Sequence, residues 1–195
     1  MNKEQILIVP VNYISLNDGF TGASLSTKAS YSLYDSIGVY RPMYEIEKNI
    51  CFIRISVFLL IENEKGHFLV CDLNDKSKKP CYELGLHSYI KSYSGNYNAI
   101  YNQLEYMTHK YFYDTKLDFK FVGNIRALSN QNVKSIVGCI YHLKVNESKF
   151  ISDENEQFTY NWCNVNQLIQ RYGKSTSWSK IIIDMIVDGS IEKFI

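Results

Sequence analysis

Tyr82-Glu83-Leu84-Gly85-Leu86-His87-Ser88-Tyr89-Ile90 reads as strand, and a helical pattern over 96–112 follows it after a short polar stretch. In the helix, Ile100, Leu104, Met107 and Tyr111 fall at helical spacing and form one apolar face. Ser94 or Asn96 is placed to cap its N-terminus. A strand running through a loop into a helix is the unit around which the rest of the chain arranges itself.

Upstream, Ile50 to Ile61 is an apolar, β-branched run of the kind that forms a central strand buried on both faces. Glu62 to Gly66 reads as a turn, and His67 to Leu73 as the second arm of a hairpin. A short strand over Ile6 to Pro10 opens the chain. Asn17 to Ser36, rich in Gly, Ser, Thr and Asn, reads as loop. Downstream, Leu117 to Leu128 and Val133 to Val145 form a strand pair across Ser129 to Asn132, and Glu156 to Trp162 is a last strand. Helices near Val165 to Gln170 and Trp178 to Val187 finish the chain. Strands, a helix, strands and terminal helices together predict an α+β fold, a mixed sheet sandwiched between helices.

The bulk numbers set bounds. The chain has 195 residues, 46% hydrophobic and 21% charged, enough for one domain with a full core. A net charge of +1 gives no long-range field for nucleic acid or an anionic membrane. The longest apolar stretch, around Val57 to Ile61, is too short to span a bilayer, and the N-terminus lacks a signal-type apolar run. Five scattered cysteines without a C-x-x-C pair argue for a reducing compartment. Cys51, Cys71 and Cys139 lie in apolar runs, as buried small hydrophobes do. The reading is cytoplasmic, with neither membrane nor nucleic acid as partner.

At Glu83 to Ile90 the chain resembles the Nudix family, in particular a bacterial branch of predicted phosphoesterases whose loop before the catalytic helix reads like S-I-G-I-G-G-H-I. Val9-Pro10, Arg41-Pro42 and Glu45 match that branch upstream. Glu154 and Glu156 before Trp162, Leu168 and Trp178-Ser179-Lys180 match it downstream. The resemblance implies an N-terminal extension over 1–45 packed on a Nudix-like domain over 46–195. The family signature, G-x5-E-x7-R-E-U-x-E-E-x-G-U, sets glutamates on one helix face to hold Mg²⁺ against a diphosphate. With Ser88 at the first Gly, its first Glu becomes Ser94 and its Arg-Glu pair becomes Asn102-Gln103. Leu104 is kept, the two metal-binding Glu become Tyr106 and Met107, and the final Gly-U pair becomes His109-Lys110. Tyr and Met are poor ligands for a hard cation.

The resemblance therefore implies a catalytically inactive Nudix-fold protein that needs no Mg²⁺ and binds a nucleotide-like ligand, a nucleoside diphosphate derivative or ADP-ribose type, as a sensor or regulator. Candidate ligand-binding residues are Arg54, Glu83, His87, Tyr89, Gln103, Arg126 and Trp162. The alternatives are a protein-interaction module or homodimer, suggested by 16 tyrosines, and a residual hydrolase with ligands relocated to Glu154 and Glu156.

Overall fold

The computed structural model describes residues 4–10, 22–25, 34, 37–46, 52–73, 81–92, 98–112, 117–126, 136–151, 158–193 and 195. Its organiser is β4 (Phe52–Asn63), the β-branched run expected at the centre. Side chains alternate across a strand. Ile53, Ile55, Val57, Leu59 and Ile61 therefore enter one core, while Phe58 and Leu60 enter another. The first core is closed by Ile100 and Leu104 of α2 (Ala99–His109), the second by Ile182 and Ile183 of α4 (Ser177–Val187). The sheet thus lies between helices, as the sequence predicts.

Along one side, β4 pairs in parallel with β9 (Ile136–Val145), from Arg54 opposite Ile136 to Asn63 opposite Val145. β8 (Lys120–Arg126) lies antiparallel to β9, and β2 (Gly22–Leu25) antiparallel to β8. Along its other side β4 takes successive partners. These are β1 (Gln5–Pro10), then β7 (Leu86–Tyr89), then β5 (Phe68–Leu73) at the single pair Glu62 and Phe68. β3 (Val39–Pro42) extends the sheet beyond β1 and leads into the one-turn helix α1 (Met43–Ile46). β6 (Cys81–Leu84) and β10 (Thr159–Cys163) flank β5.

Three expectations change. The β4–β5 hairpin forks after its first pair, and the segment read as one strand over 82–90 enters the fork as two, β6 on β5 and β7 on β4. The pivot is Gly85, at φ +69, whose N–H donates to the Leu69 carbonyl at 2.7 Å. A Cβ there would stand 2.1 Å from the Leu59 carbonyl oxygen, so no other residue fits the crossing. The stretch read as loop over 17–36 contains β2, and α2 starts on Asn98 in the left-handed region, with no side-chain cap. Ser94, Asn96, Asn17-Asp18-Gly19, Cys51, Ser129 to Asn132, Glu154 and Glu156 lie outside the described residues.

The terminal helices are built from local signals. Asn164 and Gln167 form a reciprocal capping box for α3 (Val165–Arg171). Thr176 caps α4 through the Ser179 N–H, and Ser179 Oγ accepts from the Leu84 N–H at 2.9 Å, tying α4 to β6. Trp178 fills the space over Gly138, where a Cβ would meet its ring at 2.6 Å. No helix among the described residues is long and apolar enough to cross a membrane.

Candidate ligand-binding cavity

A cavity of about 630 Å³ opens where the fork meets α2. The sheet contributes Cys71 from β5, Glu83 from β6, Gly85, and Leu86, His87 and Ser88 from β7. Tyr106, Met107 and His109 of α2 line another wall together with Lys110 and Tyr111 just beyond it. Phe158 and Tyr160 close the β10 side. A site of this size with a few polar groups among aromatic walls suits a small organic ligand.

Glu83 and His87 form its polar centre. Oε1 of Glu83 lies 3.8 Å from Nδ1 of His87, and the two side chains are 24% and 25% exposed. Burial pushes the Glu83 carboxyl up to about 7 and the His87 imidazole down to about 4. Desolvation disfavours the charged form of each, so at mildly acidic pH, between the two values, the centre carries little charge. His87 also meets the Trp178 ring edge-on at 4.9 Å, and its Nε2 is enclosed without a hydrogen-bond partner among the described residues. Beneath the aromatic wall, the Tyr111 and Tyr160 hydroxyls share a hydrogen bond of 2.7 Å. Burial, then the bond to Tyr111, raises the Tyr160 phenol, and burial pushes the Cys71 thiol up to about 12.

The residues proposed from sequence divide by sheet face and register. Glu83 and His87 meet in the cavity. Gln103 sits behind its wall, fully buried on the same helix face as Leu104. Its Oε1 accepts from the Lys91 N–H at 3.2 Å and its amide donates to Ser88 Oγ at 3.3 Å. Arg54 does not line the cavity, because even-numbered β4 residues face away from α2. Instead its guanidinium lies 5.8 Å from the Tyr89 ring, which likewise points away. Arg126 stands on β8, separated from β7 by β9 and β4. Trp162 shares a strand face with Tyr160 but lies two residues on, edge-on to Phe150 at 5.8 Å.

Sequence reasoning missed Lys110, Tyr111, Phe158 and Tyr160 as cavity residues. The i, i+3 and i+4 spacing of Tyr106, Met107, Lys110 and Tyr111, running off the end of α2, was a usable signal. Placing β10 beside β5 requires tertiary pairing that the sequence does not display. His142, read as structural, is buried with Nε2 2.9 Å from Glu62 Oε2, outside the cavity.

Comparison with solved structures agrees with this architecture. The chain superposes on Tm1382, named as a candidate Nudix hydrolase, with TM-score 0.78 and 19% identity over 95% of this chain and 99% of that one. It superposes on DR0079 from Deinococcus radiodurans with TM-score 0.50 and 12% identity, over 67% and 81% of the two chains. The fold is therefore that of the Nudix proteins. No protein-family model and no curated relative matches the sequence.

Proposed function

We propose that this chain binds a nucleotide-like ligand, a nucleoside diphosphate derivative or ADP-ribose type, in the cavity between α2 and β10, without a metal ion and without cleaving it. The observation that supports this reading most is what α2 turns toward the cavity: Tyr106, Met107 and His109, with no carboxylate from the helix. The third box position on the helix, Gln103, is committed to holding the β7 loop. Among the described residues Glu83 is the one carboxyl in the lining, and no group of three metal-ligating side chains occurs. These donors do not fit Mg²⁺, which asks for several oxygen ligands in near-octahedral array. Exposed rings at Tyr106 and Phe158 suit stacking, and Lys110 supplies positive charge for a phosphate.

Thermal unfolding against nucleotides, dinucleotides and ADP-ribose, with and without Mg²⁺, tests the reading. A ligand at about a hundred times its Kd adds roughly 2.7 kcal/mol, a rise of about 5–11 °C for a chain of this size. The expected shift is the same with and without Mg²⁺, and the ligand is recovered intact. Magnesium-dependent turnover would instead support a hydrolase with relocated ligands. A flat panel would support the scaffold as a partner-binding module or homodimer, for which Val165 and Ile169, exposed one turn apart on α3, offer apolar surface.

A further inference from the structure

We propose that Glu83 selects the ligand, its carboxyl pairing with the amidine edge of an adenine ring that stacks on the exposed aromatic walls of the cavity. This rests on the cavity being a nucleotide site and extends that reading to the base. Among the described residues the carboxyl forms no hydrogen bond: His87 Nδ1 stands 3.8 Å away, beyond hydrogen-bonding distance, and the Cys71 thiol is its cross-strand neighbour. The side chain is about three-quarters buried and lines the cavity, with no hydrogen-bond partner among the described residues.

The surroundings decide which base it suits. Among the described residues, Cys71 on β5, His87 on β7, Tyr160 on β10, Tyr106 and His109 on α2, and Lys110 and Tyr111 just beyond it are the titratable groups that line the cavity with it. Cys71 and Tyr160 are held protonated and His87 neutral by burial, and the same burial keeps the proton on Glu83 up to about pH 7. A protonated carboxyl offers one O–H donor beside one carbonyl acceptor. Adenine presents the complement, the N1 acceptor beside an N6–H donor, so both bonds form without burying charge. Guanine presents two adjacent N–H donors and asks for an ionised carboxylate, which this environment disfavours. Tyr106 and Phe158, 61% and 44% exposed, supply the stacking surface.

Calorimetric titration of AMP, purine riboside 5′-monophosphate (which lacks the 6-amino group) and GMP into the wild type, Glu83→Gln and Glu83→Ala, at pH 6 and pH 8, tests this. At pH 6 the wild type is expected to bind AMP about tenfold more tightly than either competitor, the usual effect of leaving one buried polar group unpaired. That preference shrinks at pH 8. Glu83→Gln, whose amide presents the same donor beside an acceptor, keeps the preference at both pH values, and Glu83→Ala loses it. GMP binding as tightly as AMP at pH 6, or a preference as sensitive to pH in Glu83→Gln as in the wild type, overturns the assignment to Glu83 and leaves the cavity reading standing. Failure of all three nucleotides to bind the wild type overturns the cavity reading and this inference together.

Discussion

Oε1 of Glu83 and Nδ1 of His87 stand 3.8 Å apart, and the same burial moves the two groups in opposite directions. Glu83 rises from an ordinary 4.5 to about 7, so its contribution to stability is full below pH 4.5 and lost as pH climbs through 7. His87 falls from 6.5 to about 4, so its contribution is present above pH 6.5 and lost as pH falls through 4. Between about pH 4.5 and 6.5 the two slopes cancel. Urea unfolding of Glu83→Gln should expose the His87 slope, a loss of about 2 kcal/mol relative to wild type between pH 7 and pH 5. His87→Gln should show the opposite trend over the same interval. Parallel pH profiles for the wild type and both variants would refute the opposed displacements.

Gly85→Ala should destabilise the protein by about 3 kcal/mol or more, since it adds a left-handed non-glycine residue and a Cβ 2.1 Å from the Leu59 carbonyl. Chemical denaturation measures this directly. A loss below about 1 kcal/mol would mean that the fork between β4 and β5 tolerates another geometry.

Placing a carboxylate on this face of α2 with Gln103→Glu should harm the fold. Gln103 is fully buried and gives an amide hydrogen to Ser88 Oγ. A glutamate there loses that donor and brings a charge into the core, at a cost of about 1–3 kcal/mol at pH 7. The deficit should narrow under mildly acidic conditions, where the new carboxyl is protonated. Melting curves at pH 5 and pH 7 with Mg²⁺ present would reveal any rescue by the ion, and none is expected.

Tyr106→Ala separates binding from folding. The side chain is largely exposed on α2, so the change in stability should stay within about 0.5 kcal/mol. Loss of a stacking surface should weaken a bound nucleotide by about 1–3 kcal/mol, read as a roughly 5- to 150-fold rise in Kd.

Where apolar pattern and local chemistry agree, the fold was legible. β4, β8, β9, α3 and α4 all lie where periodicity and caps place them. β2 was hidden because Gly22-Ala-Ser-Leu25 carries no strand pattern of its own and is recruited by register with β8. The break at Gly85 was visible as an isolated glycine inside a strand, though its role as the pivot of a fork depends on the Leu59 carbonyl beside it. Glu83 and His87 emerged from their place in the loop before the helix. Arg54 and Trp162 were misplaced because the face or position that a strand residue occupies in the sheet follows from pairing partners far away in the chain.

The parallel contact between β4 and β9 also has a consequence for how the chain is made. Arg54 cannot meet Ile136 until about eighty further residues have been synthesised, roughly 4–16 s at ordinary ribosomal rates. For that interval the most apolar strand of the protein lacks its longest neighbour, and early folding has β1, β5, β7 and α2 with which to shield it. The N-terminal strand is thus a temporary cover for the nascent chain as well as part of the finished sheet, and truncating it should lower soluble yield more steeply at fast translation and high temperature than equilibrium stability alone would dictate.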